Sequence, residues 1–242
     1  MILAAAAAIG LVLGLLGGGG SILAVPALVY LAGLDPKVAI ATSLIVVGTT
    51  AGVAVVPHAR AGNVAWRIGL VFAVSAMAGA FAGGAAAAYI PAKALLLLFA
   101  VMMVVTAGAM LRGRGELEPT AKELPVLKVL VEGLAVGGLT GLVGAGGGFL
   151  VVPALVLLGG MAIHQAVGTS LLVIALKSVA GLAGYLSHVQ VDWALAGSFA
   201  GTAAVASLVG AALSKRVPAP KLRRGFAYFV LVMAALVLIQ EL

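Results

Sequence analysis

The chain has 242 residues, 64% of them hydrophobic and 9% charged, against roughly 25% charged in a soluble domain. It contains no cysteine, which excludes disulfides, thiolate metal sites and a cysteine nucleophile. The formal charge of +7 is read as membrane topology and not as affinity for nucleic acid, because basic residues in membrane proteins mostly mark the cytoplasmic side.

The first apolar stretch, Ile2–Gly33, holds the run Gly17, Gly18, Gly19, Gly20 and Ser21, followed by Val25-Pro26-Ala27-Leu28. It is too long for one ordinary span of ~20 residues and too short for two. Spans are predicted near Val38–Pro57, Trp66–Tyr89 and Lys93–Leu111, with the longest polar stretch, Arg112–Lys128, after them. A second long apolar stretch, Val126–Gly160, holds Gly144, Gly146, Gly147 and Gly148 before Val152-Pro153-Ala154-Leu155. Three more spans are predicted near Gln165–Ser187, Trp193–Ser214 and Lys221–Ile239. Helices are expected because the apolar runs are continuous and rich in Ala and Leu, without the alternation of a membrane β-barrel.

The two halves are copies. Gly17 stands against Gly144, an offset of 127 residues that holds without a gap through Thr42-Ser43-Leu44 against Thr169-Ser170-Leu171. It still holds for Trp66 against Trp193, Pro91 against Pro218 and Phe99 against Phe226. The organisation is therefore residues 1–111, a first membrane repeat; 112–128, a linker; and 129–242, a second repeat. The opening MILAAAAAIG lacks a basic n-region, and its counterpart around Val129–Gly138 is internal, so it is read as part of the fold and not as a cleaved leader.

Basic residues decide how the glycine-bearing stretches cross. If each crossed once, the charges would divide almost evenly between the two faces. If each dips in and returns as two half-helices meeting at the glycines, Lys37 and Lys93 lie on one side. Arg60, Arg67, Arg112, Arg114, Lys122, Lys128, Lys215, Arg216, Lys221, Arg223 and Arg224 then lie on the other, with Lys177 inside the membrane. The positive-inside rule favours this second arrangement. The expected fold is thus an all-α integral membrane protein with an inverted-topology tandem repeat. Each half is a re-entrant helical hairpin plus three transmembrane helices, with both termini external and the linker cytoplasmic. Such a repeat exposes one central site alternately to each side.

Irregular backbone survives at membrane depth only where protein or water surrounds it. Glycine permits the reversal and the close approach of a ligand. Half-helices starting near Ser21 and Gly148 would present free N–H groups and positive dipole ends, which suit an anion. On the following spans Thr169, Ser170 and Lys177 are matched in the first half by Thr42, Ser43 and Thr50. Ser170 and Lys177 are seven apart and share a helix face. Lys177 is the only Lys or Arg deep in a span, and an intramembrane charge is expensive enough to count as a functional candidate. The candidate substrate-binding set is therefore Gly17–Ser21, Thr42, Ser43, Thr50, Gly144, Gly146–Gly148, Thr169, Ser170 and Lys177. Glu132, one turn after Lys128, reads as an interfacial ion pair; Trp66 and Trp193 read as interface anchors; Asp35, Asp192 and His164 read as solvated. His58 and His188 lie near opposite faces and read as interfacial histidines.

The doubled glycine run with Val-Pro-Ala-Leu, and the doubled Thr-Ser-Leu, resemble the TauE/SafE sulfite exporter family, also called the toluene-sulfonate uptake permease family. The resemblance covers essentially the whole chain. It implies a bacterial or archaeal inner-membrane secondary carrier of sulfite, sulfonates or related sulfur anions, working by alternating access, with the bilayer and a small anion as partners. A homodimer and a coupling ion, proton or sodium, are left open. Carriage of other small anions is the nearest alternative. A cation or metal permease would place an acid at mid-membrane, and an enzyme would cluster acids or histidines; neither pattern is present, so no catalytic residue, metal or cofactor is expected. The topology is tested with single cysteines on the cysteine-free background. An impermeant external thiol reagent should label both termini and spare position 118, and labelling of one terminus alone would rule out the re-entrant hairpins.

Overall fold

The computed structural model describes residues 2–16, 21–112, 126–144, 147–155, 161, 163–214 and 219–241. Among them every regular element is helical: α1 (Ile2–Leu16), α2 (Ser21–Leu31), α3 (Pro36–Arg60), α4 (Trp66–Ala86, with a 3₁₀ turn Ala87–Tyr89), α5 (Ala92–Arg112), α6 (Val126–Val143), α7 (Gly148–Pro153), α8 (Ile163–Leu186), α9 (Trp193–Ser214) and α10 (Ala219–Glu241). Among the described residues, α3, α4, α8 and α9 are long and apolar enough to cross a membrane. α5 and α10 have 21 and 23 residues, about the length needed at 1.5 Å per residue, but their apolar stretches are shorter, Ala92–Gly108 and Val230–Gln240. The linker from 113 to 125 and Gly17–Gly20 lie outside the described residues.

The local structure repeats with the sequence. α2 widens into a π-turn at Ala27–Leu31, directly after Pro26, and the backbone widens in the same way at residues 154–155, directly after Pro153. Proline lacks the amide hydrogen that a regular turn needs, and its ring crowds the carbonyl four residues back. The turns close with matching bonds, Leu34 N to Leu28 O and Met161 N to Leu155 O, both 3.1 Å. α3 runs a turn beyond the expected end, with Pro57 inside it. Asp35 and Asp192 are helix caps and not merely solvated. Asp35 Oδ1 accepts from Lys37 N, and Asp192 Oδ1 accepts from Ala194 N and Leu195 N, all at 2.9–3.0 Å, each satisfying orphan amides of a first turn.

α1 and α6 pack on the other half of the chain. α6 lies along α4 and α1 lies along α9. A Cβ on Gly137 would stand 2.7 Å from Ala76 Cα, and one on Gly10 would stand 2.6 Å from Ala203 Cα; the two pairs are related by the 127-residue offset. Small residues let backbones come this close, as helix association in lipid requires. Directions follow from the same contacts. Leu44 faces Gly181 while Gly48 faces Ser178, so α3 and α8 are antiparallel. Gly69 faces Thr169 and Gly84 faces Gly181 and Tyr185, so α4 and α8 are parallel.

The loop ends sort into two groups. At one end Lys37 Nζ donates to Ala88 O at 3.0 Å. His188 sits near Lys37, and partial burial together with that positive charge holds its imidazole below the ordinary pKa. At the other end Thr169 Oγ1 accepts from Ala65 N at 2.9 Å, and Gly168 lies against Asn63 and His58. This separates Lys37 from Arg60 and Arg67. Trp66 and Trp193 are both exposed.

Gly137→Val should force α6 off α4 and destabilise the fold by about 1–3 kcal/mol, the usual range for overpacking. Gly197→Ala, where a Cβ meets nothing within 4 Å, should leave the unfolding temperature of the purified protein unchanged. Equal temperatures for the two variants would contradict the α4–α6 contact.

Candidate functional site

The break between α6 and α7 is the best described of the two. α6 ends at Val143, Gly144 turns with φ 63° and Gly147 with φ 64°. That left-handed region disfavours any side chain. A helix C-terminus leaves carbonyls without partners, and here hydroxyls from other helices supply them. Ser43 Oγ on α3 lies 2.5 Å from Gly144 O and 2.6 Å from Ile40 O, sharing its single proton between the two carbonyls. Tyr185 on α8 donates its hydroxyl to Leu142 O. A Cβ on Gly144 would meet Ile40 O at 2.8 Å, so the turn is pressed directly against α3.

α7 then starts at Gly148 with no side-chain cap, and its first intrahelical bonds run from Leu150 N and Val151 N to Gly147 O, at 3.0 and 2.8 Å. Beside this turn lies Lys177, 2% exposed, its Nζ hydrogen-bonded to Thr140 Oγ1 of α6. A methyl on Gly147 would collide with both Lys177 Nζ and the Thr140 side chain. Thr140 passes its own proton to Val136 O at 2.7 Å, which leaves an oxygen lone pair for the amine. Among the described residues the single ion pair joins Lys128 and Glu132, 3.9 Å apart on α6, as the sequence suggests; Lys177 has no acidic partner there.

The remaining candidates divide into groups. Gly144, Gly147, Gly148 and Lys177 come together with Ser43 at the α6–α7 break. Thr42, Thr50, Thr169 and Ser170 are all buried. Thr50 bonds Val46 O and Ser170 bonds Val167 O, carbonyls of their own helices. Thr169 is engaged with Ala65 N, at the head of α4. Ser21 is buried at the start of α2 and has a polar partner of its own. Gly17–Gly20 and Gly146 lie outside the described residues. Three residues were not singled out by sequence: Thr140, Tyr185 and Ser178. Ser178 Oγ is buried against Gly48 with no partner among the described residues. Tyr185 occupies the position of His58 in the first copy, so the structural counterpart of His58 is this tyrosine and not His188. A cleft of about 740 Å³ opens between the Arg60 end of α3 and Leu208 of α9, lined by Gly52, Val53, Val56, Pro57 and Ala61.

Thr140→Val removes the acceptor of the Lys177 amine at nearly constant volume. It should lower stability by about 1–3 kcal/mol, the cost of an unsatisfied buried donor. Ser170→Ala, which deletes a bond within one helix turn, should cost less than half as much in the same thermal-unfolding assay.

Comparison with known proteins agrees with this architecture. A protein described as "Probable membrane transporter protein" from Xylella fastidiosa is 37% identical over 237 residues, covering 95% of this chain and 91% of its own. The Bacillus subtilis "Probable membrane transporter protein YdhB" is 30% identical over 192 residues, 77% of this chain and 78% of its own. A similarly described protein of Methanocaldococcus jannaschii is 28% identical over 189 residues, 74% of this chain and 70% of its own. No solved structure gives a significant match. The family model described as Sulfite exporter TauE/SafE matches residues 2–237; the chain belongs to this family of membrane transporters.

Proposed function

We propose that the protein is a secondary carrier of small sulfur-containing anions, sulfite or sulfonates, which binds them at the α6–α7 break and moves them by alternating access. The observation that carries this reading is the buried Lys177 amino group, held by Thr140 beside the uncapped start of α7, with no acid paired to it among the described residues. A buried positive charge without a counter-ion is costly, and an oxyanion bound there supplies the missing charge. The family description names sulfite as the cargo of its members, and the choice of sulfur anions follows it.

The inverted repeat is part of the same proposal. The antiparallel course of α3 and α8, which are counterparts at the 127-residue offset, supports it. So does the exchange of hairpins, α6 onto α4 and α1 onto α9. The positive-inside count places the linker and the Arg60 end in the cytoplasm of the cell whose inner membrane holds the protein. On that assignment the cleft between α3 and α9 faces inward, and Gly84 and Gly184 pack α4 tightly on α8 toward the opposite end. A homodimer is compatible with the exposed apolar surfaces, which lipid covers equally well.

Purified protein should be stabilised against heat by sulfite, thiosulfate, methanesulfonate or sulfate, because a ligand that binds only the folded state raises its stability by mass action. Neutral sulfur compounds of matched size should have no effect. Lys177→Gln should weaken the binding of the responding anion by about 2 kcal/mol, the scale of a charged hydrogen bond. Binding of none of the four anions, or unchanged affinity in the Gln variant, would refute the site.

A further inference from the structure

We propose that Lys177 also carries the coupling proton: its amine takes up one proton when the anion binds and releases it when the anion leaves. The inference rests on the anion site proposed above and adds what drives it.

The empty site poses the problem. Lys177 Nζ is enclosed, and its one partner among the described residues is the neutral hydroxyl of Thr140. An amine satisfies that bond with a single N–H, whereas an ammonium has three donors to place. A carrier must also pass between its inward and outward forms with the site empty. Carrying a bare ammonium through that step means moving an uncompensated charge through a low-dielectric interior. An amine that protonates only alongside an anion leaves the site neutral when empty, and neutral when it holds a monovalent anion. The balance is simple: the Nζ lone pair accepts one proton from the side the anion enters, and the same N–H bond breaks on the side it leaves.

The charged groups on the packed helices leave this role to Lys177. α8 packs against α3, α4, α6 and α7. On α3 the titratable and basic groups are Lys37 in the first turn and His58 and Arg60 in the last, and Asp35 caps the helix end. On α4 there is Arg67 at the start. On α6 Lys128 and Glu132 pair with each other, and Glu132 lies eight residues before Thr140, about 12 Å along the helix. α7 has none. α8 itself carries His164 at its start and Tyr185 near its end, the latter bound to Leu142 O. The first repeat has Thr50 in place of the lysine, so the device exists once per chain.

Arginine separates this role from simple charge supply, because a guanidinium does not lose its proton in proteins. Calorimetric titration of wild type and Lys177→Arg with methanesulfonate, thiosulfate, sulfate and sulfite, in buffers of different ionisation enthalpy, counts protons taken up per anion bound. The wild type should take up one more proton than the Arg variant for the same anion, a difference that cancels the anion's own titration. In proteoliposomes, wild-type uptake of methanesulfonate should follow an imposed pH gradient and ignore membrane voltage, while Lys177→Arg should exchange anions but not accumulate them. An equal proton count in the two proteins would overturn the coupling and leave the anion site standing. So would wild-type uptake driven by voltage with no response to the pH gradient. Failure of the wild type to bind any of the four anions would overturn both.

Discussion

Hydrocarbon offers no hydrogen bonds, so every backbone group freed by a broken helix must find a partner within the protein. The organisation of this transporter follows from that requirement at its glycine turns. The carbonyl end of α6 is finished by Ser43 from α3 and Tyr185 from α8, and the turn itself rests against Ile40. Three helices are thereby fixed around one interruption. The amide end of α7 is treated differently: it has no side-chain cap, and a lysine stands beside it.

Much of this can be read from the sequence because glycine and proline act locally. The doubled run of glycines, with proline at the same distance beyond it, announces two interruptions, and the described backbone widens alike after Pro26 and Pro153. The starts of α2 and α7 near Ser21 and Gly148 are legible for the same reason. Lys177 is legible because a charge inside an apolar span has few benign explanations. Its partner is not, since Thr140 is one hydroxyl among several on apolar helices, and only the docking of α6 against α8 selects it. Asp35 and Asp192 carried a readable signal as capping residues just before helices, although their exposed positions invite the weaker reading of solvation. The packing of α1 and α6 on the opposite half leaves no local trace: glycines four apart on α6 signal close packing without naming the helix they pack on.

The duplication also shows what the two halves do not share. Tyr185 replaces the position of His58, and Lys177 that of Thr50. The α4–α8 interface is zipped by glycine contacts, among them Gly184, which lies tight against α4 where the first copy has Pro57. Similar backbones thus present different chemistry on either side of the α3–α8 crossing. The buried lysine stands in the second half, where the first has Thr50.

The crossed packing of α1 and α6 has a consequence for synthesis. α6 emerges from the ribosome after α4, so its glycine face meets a helix that is already in place. α1 is made well before its partner α9, which begins roughly 180 residues later. At 5–20 residues per second, the wait is on the order of 10–35 s. During that time α1 must persist beside the translocation machinery or in lipid without its native neighbour. The described part of α1 carries no charged residue, so lipid can shelter it for the interval without an unpaired ion. The order of translation therefore leaves α1 waiting for α9, and the membrane itself serves as its holding partner.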